Sequence, residues 1–429
     1  MLIFLYIGFN ILPNGGFDMI NEESSFDLPE SSEYTTVPVG KLGIIATPGC
    51  EEMAERINFY IARWRSENET LLNSPLNIEG YVKDSYVIDA KCARFGSGEG
   101  KAVINGTVRG YDIFILVDPF NYGATYKMYG MEVPMSPDDH FANLKRIISA
   151  IGGKAHRITV VMPMLYEGRQ HKRASRESLD CAMALQELVA MGVDSILTFD
   201  AHDPRVQNSI PLNGFENISP IYQMIKALIR TSPDISFDPD NMMVVSPDEG
   251  GMGRAIHYAT VLGVELGMFY KRRDYSRVVD GRNPILAHEF LGSNIEGKDI
   301  IVVDDMISSG ESMLEVAAKL KGLGANRIYV CTCFGLFCNG LDIFDEAYKN
   351  GTIERILTTN LVYRTPELKE RPWYAEVDMA KYIAILIDTI NHDISISSLL
   401  DPMDKIKGIL DKHNEELSKN LGAQMEIKL

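Results

Sequence analysis

Apolar positions along the chain fall into two alternating patterns. Short runs rich in β-branched residues recur as KLGIIATPG (41–49), DIFILVD (112–118), HRITVVMPM (156–164), VDSILTFD (193–200), NMMVVSPD (241–248), DIIVVDD (299–305), NRIYVCTCF (326–334) and ERILTTN (354–360). Runs of this kind suit strands buried on both faces, as in a parallel sheet. Between them apolar residues return at three- and four-residue spacing, as in Met313, Val316, Ala317 and Leu320, which predicts helices. Strands alternating with helices imply parallel sheets joined by right-handed crossovers. The expected class is α/β, each sheet mostly parallel and flanked by helices.

The order of the runs repeats. VRGYDIFILVDPFNYG (108–123) resembles IEGKDIIVVDDMISSG (295–310), and the runs on either side line up in turn. Two tandem domains of one fold is the economical reading. Their expected extents are 39–218 and 219–375. The helical stretch MAKYIAILIDTINHD falls in a segment, 376–400, expected to pack back on the first domain. An amphipathic tail, 401–429, is expected to form a surface or oligomer contact. Residues 1–38 read as an extension. Its apolar MLIFLYIGFNIL lacks a basic segment and falls short of the ~20 residues a membrane span needs. A mis-called start upstream of Met19 is the favoured explanation, then a frayed appendage, then secretion.

Composition narrows the class of partner. A net charge of −17 over 429 residues argues against a nucleic-acid scaffold, while leaving room for a local basic pocket. Six cysteines are spread thinly, and Cys331 and Cys333 alternate within a strand-like run rather than forming a chelating pair. Buried thiols in a reducing, cytoplasmic compartment are expected, with no membrane.

The chemistry concentrates around Asp299–Leu320. Asp304 and Asp305 stand at the carboxyl end of the Ile300–Val303 strand, followed by Ser308-Ser309-Gly310 and a helix that starts at Glu311 or Ser312. Free backbone N–H groups and a helix N-terminus favour a phosphate, and carboxylates beside them accept from sugar hydroxyls or a hydrated cation. The combination indicates a ribose phosphate; the plain alternative is a βα turn with a solvated acidic pair and a serine cap. Asp248, in SPDEGG after a strand, is a candidate metal or substrate ligand, or simply a turn residue. In TFDAHD, His202 (with Asp200 and Asp203) can ligate a cation, contact a phosphate or satisfy a turn carbonyl. GRQHKRASRES places Arg169, Lys172, Arg173 and Arg176 after a strand, either as a polyphosphate site or as a solvated face. The stretch 270–284, with Lys271, Arg272, Arg273, Arg277 and Arg282, reads as a lid over anions or as a surface loop.

With these stretches in this order, the chain from about 41 to 400 resembles the ribose-phosphate pyrophosphokinases, as a divergent branch of bacterial type. The acidic–serine loop also resembles the phosphoribosyl-diphosphate loop of type I phosphoribosyltransferases, and the resemblance implies two such domains. It further implies transfer of the diphosphoryl group of ATP to the anomeric hydroxyl of ribose 5-phosphate, releasing AMP. Mg²⁺, or alternatively Mn²⁺, would sit at His202 and Asp248. ATP would be held by Phe95, Glu99, Arg169, Gln170 and Arg176. Ribose 5-phosphate would be held by Asp304, Asp305, Ser308, Ser309, Gly310 and Ser312. Lys271, Arg273 and His202 would be catalytic. The adenine loop, Phe95 to Glu99, would serve a neighbouring subunit, so a homo-oligomer is implied, dimer-based and up to a hexamer. Two departures bear on affinity: Ser308-Ser309 where the family commonly has Asp-Thr, and Glu311 in place of a glycine. They keep a catalytically weak regulatory relative as an alternative, beside a phosphoribosyltransferase.

Overall fold

The computed structural model describes residues 36–67, 80–273 and 285–427, and a short antiparallel pair of Asn10–Ile11 with Phe17–Asp18. The expectation for residues 1–38 therefore falls almost wholly outside the described residues, as do Arg277 and Arg282 and the side chains of Lys271 and Arg273.

Two sheets share one design. In the first, five parallel strands run in the order Lys41–Ala46, Tyr111–Leu116, Arg157–Val161, Ser195–Phe199 and Gly214–Ile218. In the second, Met242–Ser246, Asp299–Ile307, Ile328–Gly335, Arg355–Thr359 and Tyr374–Val377 repeat that order. Glu265–Arg273 adds a parallel strand on the outer side of Met242–Ser246, with antiparallel Ile285–Leu291 beyond it. The repeat extends to side chains. Arg157 binds Asp112 at the foot of the first sheet (2.7 Å), and Arg327 binds Asp299 at the foot of the second (2.7 Å).

Because both faces of each strand are buried, successive residues feed different cores. Ile300 and Val302 join the core under helices Glu311–Gly322 and Asp342–Lys349. Ile301 and Val303 join a core that continues into the first sheet through Ile44, Phe114, Leu197 and Phe199. The domains thus share apolar packing rather than a linker. Helix Ala380–Asn391 lies against helix Glu51–Glu67, where fully buried Arg65 donates twice to Asp388 (2.8 and 2.6 Å).

Three elements differ from expectation. Strand Asp299–Ile307 runs through Asp304 and Asp305 rather than stopping before them, because Asp304 and Met306 keep ladder partners in Thr332 and Phe334. Residues 285–291, expected to lie between a lid and the next strand, form an edge strand of their own. The tail helix Met403–Ile427 is not peripheral: Ile406 and Leu410 are buried and His413 bonds the Ile235 carbonyl (2.7 Å). Its apolar stripe has a partner within the chain. No helix among the described residues is long and apolar enough to cross a membrane.

Candidate active site

Strands Met242–Ser246 and Asp299–Ile307 are parallel neighbours whose chains leave in opposite directions. The first passes to Glu265–Arg273 on one side, the second to Ile328–Gly335 on the other. Such a topological switch opens a crevice at the strands' carboxyl ends, the usual ligand position in open α/β sheets. Asp248 follows one of these strands, and Asp304 and Asp305 lie in the carboxyl-terminal half of the other.

The loop after Ile307 is shaped by Gly310. Its φ of +88° is left-handed, and an added Cβ would lie 2.0 Å from the Phe344 ring, so only glycine fits. Helix Glu311–Gly322 starts there without any side-chain cap, leaving its first N–H groups available to an anion. Ser308 Oγ accepts from Arg169 Nη1 (3.3 Å), a contact between the two domains. The Glu311 carboxylate is drawn aside and accepts from Asn339 Nδ2 (3.4 Å).

Asp305 follows Ile301 and Val303 onto the face turned toward the first domain. There, 3% exposed, it meets His202 Nδ1 at 2.7 Å. Burial works against its charge, yet the His202 bond and the Arg254 guanidinium outweigh it and hold the carboxyl below its ordinary range. His202 is held correspondingly high, chiefly by that bond. Asp304 goes the other way: burial, then the charge of Asp305, push its carboxyl well above the usual range. The adjacent carboxyls are thus pushed in opposite directions, so Asp304 holds a proton more tightly than Asp305 does.

A cavity of about 150 Å³ joins the domains, lined by Phe120, Glu167, Arg169 and His202 from the first and Asp305 and Met306 from the second. Arg169, His202, Asp305 and Ser308 are thus brought together. Other expected residues stand elsewhere. Gln170 spends its amide on the Ser178 carbonyl (2.9 Å), within its own loop. Arg176 is exposed and does not line the cavity. Phe95, 53% exposed, and Glu99 sit at the tip of a hairpin formed by Ala90–Arg94 and Gly100–Ile104, also away from it. Asp248 Oδ1 accepts from Gly250 N (2.8 Å), so it does hold its turn, and its charge reaches Asp304. Lys271 and Arg273 belong by backbone to the end of strand Glu265–Arg273.

Sequence reading passed over three residues. Arg254 binds Asp200 and the Ala201 carbonyl (2.5 and 2.8 Å). His171 sets its ring 5.3 Å from that of His202. Glu167 holds a left-handed φ of +54°, costing about 1–3 kcal/mol, in the cavity wall. Arg254 looked like an ordinary first-turn cation; for His171 the basic run around it was a usable signal. Among the described residues no group of three or more His, Cys, Asp or Glu side chains converges as a metal site.

Known proteins resemble this arrangement. Residues 42–192 match the N-terminal domain of ribose phosphate pyrophosphokinase, and 214–360 match the phosphoribosyl transferase domain, a span that begins within the last strand of the first sheet. The ribose-phosphate pyrophosphokinase of Vibrio parahaemolyticus is 27% identical over 317 residues, covering 73% of this chain and 91% of that protein. Its namesake from Thermotoga maritima is 29% identical over 317 residues, covering 72% and 90%. The crystal structure of phosphoribosylpyrophosphate synthetase from Mycobacterium smegmatis superposes with a TM-score of 0.65 at 20% identity, covering 82% of this chain and 99% of that one.

Proposed function

The chain belongs to the ribose-phosphate pyrophosphokinase family, and from that premise we propose that its interdomain cavity transfers the diphosphoryl group of ATP to ribose 5-phosphate. The anomeric oxygen forms a bond to the β-phosphorus as its hydroxyl proton passes to solvent, the bond from that phosphorus to the oxygen bridging it to the α-phosphorus breaks, and AMP leaves with that oxygen. The observation that carries the reading is the crossing of two contacts between domains, His202 to Asp305 (2.7 Å) and Arg169 to Ser308 (3.3 Å). They set a cationic loop of the first domain beside the acidic pair and anion loop of the second.

In this reading the N–H groups of Ser308 to Ser312 and the Ser308, Ser309 and Ser312 hydroxyls hold the 5-phosphate. Asp304 and Asp305 hold the ribose hydroxyls, directly or through a hydrated cation. Arg169 exchanges Ser308 for a phosphate oxygen, and Lys271 and Arg273 close over the group in transit. Transfer of this type needs positioning and charge stabilisation more than protein covalency.

A hard divalent cation suits the donors present. His202 spends Nδ1 on Asp305, which orients Nε2 as the ligating atom, while Asp248 supplies carboxylate oxygen. The resemblance implies Mg²⁺, which keeps several waters and substrate phosphates in its shell and needs few protein donors; Mn²⁺ is the alternative. Bound there, the ion would neutralise the triphosphate and orient its β-phosphorus.

A cavity near 150 Å³ cannot enclose both substrates, since drug-sized ligands already need roughly 300–1,000 Å³. The nucleoside end therefore projects outward. Phe95, exposed and remote from the cavity of its own chain, then serves the ATP of a second copy, which makes the working form a homo-oligomer. Deeply buried Cys331 and Cys333, their thiols raised by burial, are consistent with the cytoplasm.

The test is AMP release from ATP, dependent on both ribose 5-phosphate and Mg²⁺, with phosphoribosyl diphosphate as the second product. Release that ignores ribose 5-phosphate, or no release from folded protein, overturns the proposal.

A further inference from the structure

We infer that Arg254 is a positioning residue for the transfer: from the second domain it fixes the turn of the first that presents His202 to Asp305. The inference rests on His202 and Asp305 being site residues, as proposed above.

Arg254 lies in the first turn of helix Met252–Leu262, directly after the turn that holds Asp248. Its side chain, 15% exposed, crosses the domain boundary. Nε donates to Asp200 Oδ1 (2.5 Å) and Nη2 to the Ala201 carbonyl (2.8 Å), with the Asp200 carbonyl further off (3.5 Å). Asp200 is where the chain turns off strand Ser195–Phe199, in a left-handed conformation with φ +38°, a conformation rare for a residue other than glycine. The guanidinium therefore grips acceptors at a strained bend and on the residue after it, and Ala201 N is tied from behind to Asn217 Oδ1 (2.8 Å). Two residues past the bend stands His202, its ring nitrogen 2.7 Å from Asp305.

The second observation is electrostatic. The Arg254 guanidinium, bonded to Asp200, also carries its charge to Asp304 and Asp305. One cation thus allows the carboxylates to sit around the bend without forcing it open. Lysine cannot replace it. A point charge cannot reach a carboxylate and a backbone carbonyl in one plane, which the guanidinium fork does.

The test uses full-length protein with Arg254→Gln, Arg254→Lys and Arg254→Ala, and with His202→Ala and Asp305→Asn in parallel. Kinetics, thermal unfolding and oligomer size are measured for each. Arg254→Gln should lower kcat by roughly 10–100-fold, the usual effect of losing a residue that orients a ligand, with both KM values within about threefold. Arg254→Lys should recover only part, and millimolar guanidinium should raise the kcat of Arg254→Ala but not that of His202→Ala. A folded Arg254→Gln or Arg254→Lys enzyme with kcat within about twofold of wild type overturns the role. So does a loss explained wholly by the unfolded fraction, without rescue by guanidinium. If His202→Ala and Asp305→Asn keep full turnover, the site reading has failed instead. If those two abolish turnover and Arg254→Gln does not, only the positioning role falls.

Discussion

Replacing Asp118 by asparagine should flatten the pH dependence of stability. Asp118 is 6% exposed at the seam between the domains, accepting from Phe120 N (3.0 Å) through one oxygen and from Tyr363 N (2.8 Å) through the other. Burial lifts its carboxyl from 3.8 to about 7, although both backbone bonds and Arg364 oppose the rise. Between these values the unfolded chain has released the proton and the folded chain still holds it, so stability falls as pH rises. The difference from 3.8 to about 7 corresponds to about 4 kcal/mol, present below pH 4 and lost by pH 8. Asparagine does not titrate. Its amide leaves one of the two N–H groups unmatched, at about 1–3 kcal/mol, but that cost is independent of pH. The stability of Asp118→Asn relative to wild type should therefore improve by about 4 kcal/mol between pH 4 and pH 8. Urea unfolding at closely spaced pH values measures this, and the core shared by both sheets favours a single transition. A relative stability changing by less than about 1 kcal/mol over that range would refute the reasoning.

Three other outcomes are expected. Gly310→Ala combines a left-handed backbone, about 1–2 kcal/mol, with overlap on Phe344, about 1–3 kcal/mol more; the melting temperature and ribose 5-phosphate affinity should both fall, and wild-type values for both would count against the loop geometry. Lys271→Ala should reduce turnover by roughly 10²–10³-fold with little change in the KM for ATP, and steady-state rates decide it. Asp388→Leu strands buried Arg65 and should cost about 3–5 kcal/mol in urea unfolding, while adding Arg65→Met should restore much of it.

The central strands were legible because burial on both faces leaves runs of apolar, β-branched residues that little else produces. The acidic pair and the serine turn were legible because they interrupt such a run. Edge strand Ile285–Leu291 was not, since one side of its ladder has no partner among the described residues and its sequence, with His288 and Glu289, carries no continuous apolar run. The tail helix hid its partner for a different reason: period alone shows an apolar stripe, never what covers it. Arg254 escaped because a guanidinium at the start of a helix reads as solvated, and its acceptors lie more than fifty residues away in the chain. Interdomain contacts of this kind belong to tertiary structure, and no local pattern encodes them.

The duplication explains why the site is where it is. Aligning Gly123 with Gly310 sets Asp118 on Asp305, each at the end of the second strand of its sheet in the shared order. Asp305 reaches His202, just past the fourth strand of the first domain. Asp118 reaches Tyr363, just past the fourth strand of the second. The two contacts are reciprocal, as when two copies of one surface pack around a two-fold axis. Each copy therefore inherits an acidic strand end aimed at its partner, and divergence has given the two ends opposite environments. At Asp118 the partner is a backbone N–H, and the Tyr122 and Tyr363 rings meet edge to face 5.0 Å apart beside it. That end is closed, and burial lifts its carboxyl to about 7. At Asp305 the partner is an imidazole, 37% exposed, that opens on the cavity, and His202 and Arg254 keep the carboxylate ionised. A charged end needs a ligand or a cation to justify its burial, whereas a neutral one needs only packing. The asymmetry between two once-equivalent carboxyls is thus the physical reason to place the chemistry at Asp305 and only packing at Asp118.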